Sequence, residues 1–405
     1  MKDTPSDRLN PKDNLLVIMS VAIIALLPFG RLAEIPLLLL ALSGLFYLLS
    51  DFKNLLQETW FKSFSLGFGL FFLLSVLSSV DSYWPEKSWL VSLGLLRFYL
   101  LGIVLLRHPN AVVLVQRIMY WLSLLLMFWV FDALVQAAIG VNLLGMTSYP
   151  GRLTGIFAEN VKLGPILALF LPLILIQSRQ YAQWWRWLIV VLVLMVILLS
   201  GTRSAWLMAA FVLVMFWWHH VKGRRVLLLA KVMILAVAGM SALYLISDDF
   251  SQRINRSAQI FGGDWEAIDF ALADRLPIWQ TAINMYQAHP INGVGARAFR
   301  QAYDEFAEVG DVWVAGQGSG LHAHHWVLEL LAETGTIGLS LFIALMIVVV
   351  KQVKNVFQEN NVWPYAVALM AALLPVVSLY SLFSSFWSIC LWWLLIMLFI
   401  GARDE

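Results

Sequence analysis

Apolar stretches long enough to cross a membrane dominate this 405-residue sequence. A spanning helix needs about 20 mostly apolar residues. About twelve such runs occur, near 14–30, 35–50, 63–80, 89–106, 110–130, 163–178, 184–200, 205–218, 226–246, 327–350, 363–380 and 385–401. The chain is 61% hydrophobic and 13% charged, whereas soluble domains are about half apolar and a quarter charged. The sequence therefore predicts an all-α, polytopic membrane helical bundle of about 12 transmembrane helices.

The basic residues of the short connections predict the orientation of this bundle. One set of alternate connections is rich in cations: Lys53, Lys62, Arg107, Arg179, Arg186, Lys222, Arg224, Arg225, Lys351 and Lys354. The opposite short connections hold only Arg31, Lys87 and Arg203. Cytoplasmic loops carry the excess of lysine and arginine, so both termini are expected in the cytoplasm. The polar segments 131–162 and 247–326 are then expected outside it.

The second of these polar segments interrupts the apolar pattern for roughly 80 residues, which is too long for a bare connector. We expect three regions: an N-terminal transmembrane bundle of about nine helices over 1–246, a periplasmic loop segment with short helices over 247–326, and C-terminal transmembrane helices over 327–405. The net charge of only +2 gives no reason to expect a nucleic-acid partner. The single cysteine, Cys390, excludes an intrachain disulfide and a cysteine-based metal site.

Two arginines are predicted to lie at helix starts. Arg203 follows Ser200-Gly201-Thr202 between two apolar runs, and Arg275 comes just before Pro277, a residue favoured in the first helical turn. Helix N-termini bind phosphate through free N–H groups, and arginine adds a planar fork that binds it bidentately. These positions therefore favour an anionic ligand. The alternative is an arginine that contacts lipid headgroups or pairs with a nearby aspartate.

A histidine cluster closes the long polar segment, at His322, His324 and His325. The spacing predicts that His324 begins a helix, shares a face with Leu328 and Leu331, and points into the bundle, with His322 and His325 nearer its rim. Gly335 is the expected C-terminal cap. Histidine can transfer protons near neutral pH. A metal site that uses Glu329 and a purely structural cluster are the alternatives.

The shorter polar segment carries a third group of candidates. Asp132 and Gln136 lead into it, and Arg152-Leu153-Thr154-Gly155 follows. These polar residues predict either the mouth of a cavity or a surface loop that caps the bundle.

These motifs, taken in order, resemble the O-antigen ligase and O-antigen polymerase family of bacterial envelope membrane proteins. The Asp132-to-Asn160 segment, Ser-Gly-Thr-Arg203, Arg275-x-x-x-Trp279 with Gly293-x-Gly295, and His324 nine residues before Glu333-Thr-Gly335 carry the resemblance. It covers roughly 130–340. The chain departs from many relatives at His325, where they have asparagine, and at Val327, where they often have tyrosine.

The resemblance implies a GT-C-like glycosyltransferase without cofactor or metal, in the inner membrane of a Gram-negative bacterium, with its active site facing the periplasm. The implied donor is a glycan on undecaprenyl pyrophosphate, and the implied acceptor is lipid A–core oligosaccharide. Arg203, Arg275 and His324 are the expected catalytic residues. The expected substrate-binding residues are Arg152, Arg297, Arg300, His325, Asp132 and Gln136.

Two other functions remain open. An O-antigen polymerase would use a lipid-linked repeat as its acceptor. A non-enzymatic polysaccharide or lipid transporter would usually place ionisable residues inside its spans, where Arg97 is one of few here.

Overall fold

The computed structural model describes residues 11–220, 239–241, 244–315, 322–375 and 380–403. Within these residues the chain is helical and forms no extended strand, only two isolated β-bridges, Val141 to Thr147 and Tyr149 to Arg152. The first ten helices are α1 (Pro11–Ala25), α2 (Glu34–Ser50), α3 (Phe52–Leu55), α4 (Thr59–Ser79), α5 (Pro85–Gly94), α6 (Leu96–Leu106), α7 (Ala111–Ile139), α8 (Leu163–Ser178), α9 (Gln183–Leu199) and α10 (Arg203–His220). The others are α11 (Asp248–Ala258), α12 (Trp265–Leu272), α13 (Leu276–Ala288), α14 (Phe299–Phe306), α15 (Val312–Ala315), α16 (Trp326–Val353), α17 (Trp363–Ala372) and α18 (Ser385–Gly401).

Apolar helices occupy the stretches that the hydropathy pattern predicts. Among the described residues, five helical stretches are long and apolar enough to cross a membrane: Leu27–Ser50, Thr59–Ser79, Pro85–Leu106, Ala111–Ile139 and Trp326–Val353. Five shorter apolar helices accompany them: Asp13–Ala25, Leu163–Ser178, Gln183–Leu199, Trp363–Ala372 and Ser385–Gly401. The prediction of a helical membrane protein is confirmed. The predicted run at 226–246 lies largely outside the described residues, and the number of spans stays a prediction.

The chain divides into two compact units. The first unit consists of Met1–Leu125, Trp279–Leu369 and Tyr380–Glu405, and the second of Leu126–Ile278 and Met370–Leu379. The predicted division at 246 and 327 concerns which segments lie inside and outside the membrane, and it stays a prediction.

The first unit packs its helices closely through small residues and aromatic rings. α4 packs along α16, and α2 packs along α6. A Cβ atom added to Gly44 would lie 2.0 Å from the Leu100 carbonyl oxygen, and one added to Gly102 would lie 2.2 Å from the Phe64 ring. Because only glycine permits these approaches, the helix backbones come closer than larger residues would allow. The stacked rings of Phe68 and Tyr99 fill the adjoining core.

The second unit is built around α8, whose residues Leu163–Ile176 are all buried. This helix packs against α9 and α10. Near its start, a Cβ atom added to Gly164 would lie 2.0 Å from the Ser200 hydroxyl oxygen. The turn between α9 and α10, which leads to Arg203, therefore lies directly on the buried helix.

Short capped helices make up the described part of the long polar segment. Ser247 caps α11 by accepting a hydrogen bond from the Phe250 N–H at 3.3 Å, and Asp264 caps α12 by accepting one from the Ala267 N–H at 2.6 Å. Both residues are favoured helix caps. α13 ends at Ala288, just before His289-Pro290, because a residue that precedes proline is disfavoured in the helical conformation.

Candidate functional site

Arg203 is the first residue of α10, as the sequence predicts. The preceding turn depends on Gly201, whose φ of 64° lies in the left-handed region that favours glycine. One terminal nitrogen of the Arg203 side chain donates to the Ser257 hydroxyl at 3.1 Å and also to the Ala271 carbonyl. These neutral partners orient the guanidinium group without cancelling its charge.

Five arginines of the second unit form what we call the arginine cluster: Arg152, Arg203, Arg253, Arg256 and Arg275. Burial, followed by the charges of Arg203 and Arg256, lowers the pKa of Arg275 to about 10. Burial, followed by the charges of Arg256 and Arg152, also lowers the pKa of Arg203. Cations that repel one another in partly buried positions favour a bound anion, because an anion offsets both effects.

Arg256 connects this cluster to the start of α13. Its Nε donates to the Phe270 carbonyl oxygen at 2.6 Å, and its Nη2 lies 3.5 Å from an Asp274 carboxylate oxygen. The guanidinium carbon also lies 4.2 Å from the centre of the Phe270 ring. Arg253 and Arg256 were not predicted as site residues. Their spacing of three residues on a helix places them on one face, which was the available signal.

Asp132 and Gln136 bond mainly to the backbone of the shorter polar segment. Asp132 accepts hydrogen bonds from the Leu143 N–H at 2.9 Å and from the Asn142 side-chain amide at 3.3 Å. Gln136 accepts one from the Gly155 N–H at 2.7 Å and donates one to the Met146 carbonyl at 3.1 Å. Both side chains are buried. These contacts favour a role in holding the segment that carries Arg152, and substrate binding by either residue stays a prediction.

The helix that follows the histidine cluster of the first unit begins later than predicted. α16 begins at Trp326, and His325 is its N-cap, with Nδ1 accepting from the Leu328 N–H at 3.4 Å. The prediction that His324 begins the helix and shares its face with Leu328 and Leu331 is wrong. Instead, His324 has a left-handed φ of 51° and precedes the cap. A histidine cap is difficult to foresee, because serine, threonine, aspartate and asparagine are the usual caps.

The three imidazoles have different surroundings. The His322 and His324 rings lie 3.9 Å apart between centroids, and His322 is buried, at 9% exposure. The expectation that His322 lies at the rim is therefore wrong. His325 makes an edge contact with Trp279 at 6.0 Å, and burial lowers its pKa. The lowered pKa favours the neutral imidazole, and a cap that accepts a hydrogen bond at Nδ1 requires that form.

Arg297 lies near two buried carboxylates, those of Glu329 and Glu333. Its φ of 67° is left-handed, and its backbone N–H donates to the Glu333 carboxylate at 2.8 Å. The same carboxylate accepts from the Phe299 N–H at 3.3 Å, while Glu329 accepts from the Leu382 N–H at 3.2 Å. Both acids lie in the apolar helix α16, and ionisable residues in such helices mark functional positions or pairing.

The Gly293-x-Gly295 segment pairs with α16 next to a break in that helix at Gly335. Gly335 has φ 62° and ψ −165°, and the helix continues beyond it to Val353, so it is a kink rather than the expected cap. The Val294 N–H donates to the Ala332 carbonyl at 2.8 Å, and the Gly295 N–H donates to the Glu333 carbonyl at 3.0 Å. A Cβ atom added to Gly293 would lie 2.4 Å from the Glu333 carbonyl carbon. The glycines thus allow the turn to pair with the interrupted helix.

Each unit therefore holds its own set of predicted residues. Arg152, Arg203 and Arg275 come together in the second unit, and the histidines and Arg297 belong to the first. Arg300 is exposed on α14, and its predicted role in binding is untested. Among the described residues, no three or more His, Cys, Asp or Glu side chains are grouped to hold a metal ion.

Comparison with known proteins supports the resemblance. A family model described as O-antigen ligase matches residues 188–343. An exopolysaccharide production protein of Rhizobium meliloti is 29% identical over 112 residues, which cover 26% of each chain. A protein of Rickettsia bellii, named as a candidate polysaccharide ligase, is 28% identical over 138 residues, which cover 33% of each chain.

The matched regions thus span between a quarter and a third of these two relatives. The family model, in contrast, includes Arg203, Arg275 and the histidine cluster within one continuous match. The predicted resemblance is confirmed: residues 188–343 match the model of the family described as O-antigen ligase.

Proposed function

We propose that this protein is an O-antigen ligase, a glycosyltransferase of lipopolysaccharide biosynthesis. Its donor is a polysaccharide on undecaprenyl pyrophosphate, and its acceptor is the lipid A–core oligosaccharide. The reaction takes place on the periplasmic face of the inner membrane of a Gram-negative bacterium, and both termini lie in the cytoplasm.

The arginine cluster is the observation that carries this proposal. A pyrophosphate group brings several negative charges to one place, and guanidinium forks match phosphate oxygens well. Arg203 and Arg275 are partly buried beside other arginines, which lowers the pKa of each. A pyrophosphate bound there stabilises the charged form of both side chains.

The proposed reaction is a direct displacement with inversion. The acceptor hydroxyl oxygen forms a bond to the anomeric carbon as the bond from that carbon to the pyrophosphate oxygen breaks. The pyrophosphate leaves with the bonding electrons, and Arg203 and Arg275 stabilise the negative charge that develops on it. These arginines supply the positive charge, so the mechanism requires no metal ion or cofactor.

His324 takes the proton of the acceptor hydroxyl as that bond forms. Proton transfer by a positioned histidine typically accelerates such a step by about 10²–10⁴-fold. The neighbouring His322 ring contacts that of His324 and takes no part in the proton transfer. His325 contributes by capping α16, and Arg297 supports the turn next to α16.

A polymerase is the second candidate. It is favoured by the similarity to a relative named for exopolysaccharide production. A polymerase would use the same donor and the same leaving group, but its acceptor would be a lipid-linked repeat.

Purified protein incubated with undecaprenyl-pyrophosphate glycan and each acceptor separately tests both candidates. The ligase proposal expects glycan transfer to lipid A–core, retained in the presence of a chelator and lost in Arg203→Ala. Chain extension on the lipid-linked repeat without transfer to lipid A–core would identify a polymerase. No transfer to either acceptor would reject both, and chelator inhibition reversed by a divalent ion would reject the arginine mechanism.

A further inference from the structure

We propose that Arg253 is a positioning residue that sets the spacing of Arg152 and Arg203 in the arginine cluster. The inference rests on the proposed function, because it concerns how the pyrophosphate-binding cations are held. In this role Arg253 acts through its neighbours and leaves contact with the pyrophosphate to them.

The guanidinium group of Arg253 bridges two separate turns of the second unit. Nη2 donates to the Gly151 carbonyl oxygen at 3.0 Å, and Nη1 donates to the Gly201 carbonyl oxygen at 3.3 Å. Arg152 follows the first of these carbonyls directly, and Arg203 comes two residues after the second. Both terminal nitrogens of Arg253 are thus engaged immediately before the two cations.

Glycine is required at both turns because the side chains lie directly on the backbone. Gly151 and Gly201 have φ values of 66° and 64°. A Cβ atom added to Gly201 would lie 2.9 Å from Arg253 Nε, and one added to Gly151 would lie 2.8 Å from an Asp249 carboxylate oxygen. The bridge is therefore built into the backbone conformation and is not a chance surface contact.

α11 also contacts the guanidinium group of Arg203. Ser257, four residues after Arg253 and hence on the same helical face, donates its hydroxyl proton to the Arg253 carbonyl at 2.7 Å. The same hydroxyl oxygen accepts the hydrogen bond from Arg203. α11 thus holds Arg203 at both its backbone turn and its guanidinium group.

The charge of Arg253 alone does not account for this arrangement. Burial and the nearby Arg152 lower the pKa of Arg253, whereas the Asp249 carboxylate acts in the opposite sense. A cation placed only to attract an anion would not need to bond with two carbonyls. Arginine presents two donors in a rigid fork, and lysine presents one compact ammonium group, so lysine keeps the charge but loses the bridge.

The test uses the full-length protein and the lipid-linked donor with its acceptor. Arg253→Lys, Arg203→Lys and the double variant are compared for kcat, KM of the donor and thermal unfolding. Arg31→Lys, at an exposed arginine of the first unit, is the matched control. We expect Arg253→Lys to lower kcat about 10- to 100-fold, because misplacing a binding group by about 1 Å can cost 10²-fold. The KM of the donor should change less than threefold.

The double variant separates positioning from direct binding. If Arg253 acts through Arg203, the double variant should lose no more activity than Arg203→Lys alone. Multiplying losses would show an independent contact, and wild-type kcat in Arg253→Lys would reject the positioning role. If Arg253→Lys does not fold, Gly201→Ala provides the test, because its added Cβ atom displaces the Arg253 guanidinium and keeps every charge. The positioning role requires the kcat of Gly201→Ala to fall as well. Inactive wild-type protein would count against the proposed function itself, not against this inference.

Discussion

Arginine is used in different ways in the two compact units. In the second unit, Arg203 and Arg275 lie among other arginines, and their mutual repulsion adds to the effect of burial. In the first unit, the charge of Arg297 lies near the carboxylates of Glu329 and Glu333, and its backbone is bonded to Glu333. A cation beside carboxylates already has compensating charge within the chain, whereas a cation among cations favours an external anion. We therefore propose ligand binding for the arginine cluster and a supporting role for Arg297.

The largest effect is expected from His324. His324→Ala should lower turnover about 10²–10⁴-fold, the usual loss when a general base is removed, while the affinity for the donor is kept. Turnover and donor binding are measured at matched expression, with His322→Ala as the neighbouring control. A His322→Ala loss as large as that of His324→Ala would point to a structural cluster, and near-normal turnover in His324→Ala would remove the base assignment.

Arg203 and Arg275 should come next. Replacement of either by lysine should lower kcat about 10²–10³-fold, nearly as much as replacement by alanine, because lysine loses the fork. Arg297→Lys should cost less than tenfold, if its role is support. Comparable losses of kcat in Arg297→Lys and Arg275→Lys would contradict the distinction between binding arginines in the second unit and a supporting arginine in the first. Initial rates with saturating donor measure these effects.

A substitution at Glu333 tests whether its carboxylate stabilises the backbone at Arg297 and Phe299. Glu333→Gln replaces one acceptor oxygen by an amide donor that faces a backbone N–H, so one of the two hydrogen bonds is lost in a buried site. We expect a loss of about 1–3 kcal/mol in stability, typical of an unsatisfied buried group. Thermal unfolding in detergent measures it, with the exposed Glu359→Gln as the control. Unchanged unfolding would mean that the carboxylate does not stabilise the turn.

The smallest effect concerns the His325 cap. Burial lowers the pKa of His325 below its ordinary value near 6.5, so the unfolded chain binds the proton more readily than the folded protein. The contribution of the cap is therefore present above pH 6.5 and is lost as the pH falls through the lower, folded-state value. We expect about 1 kcal/mol, the usual worth of an N-cap. His325→Asn keeps a cap that does not titrate, so it should flatten the stability difference between pH 7.5 and pH 5. An equal dependence of stability on pH in the wild type and in His325→Asn would show that the His325 cap is not the cause of that dependence.

The helices themselves could be predicted because their cause is local. A run of about 20 apolar residues is long enough to form a spanning helix whatever its neighbours in the fold. Pro290 favours the end of α13 because the residue before a proline is disfavoured in the helical conformation. Arg203 was placed at a helix start for the same reason, from a short polar turn between two apolar runs. The start of α16 was wrong by two residues, because its cap is a histidine and local propensity gives that residue little weight.

The contacts of the site could not be predicted, because they join residues far apart in the chain. Arg253 contacts Gly151 across about a hundred positions, and Glu333 contacts Arg297 two residues before the break in α16 at Gly335. From the sequence alone came the helical membrane class, the arginine and histidine motifs and the family they resemble. Only the tertiary structure decided which arginine is surrounded by cations and which by carboxylates, because electrostatic surroundings depend on distance in space rather than on position in the chain.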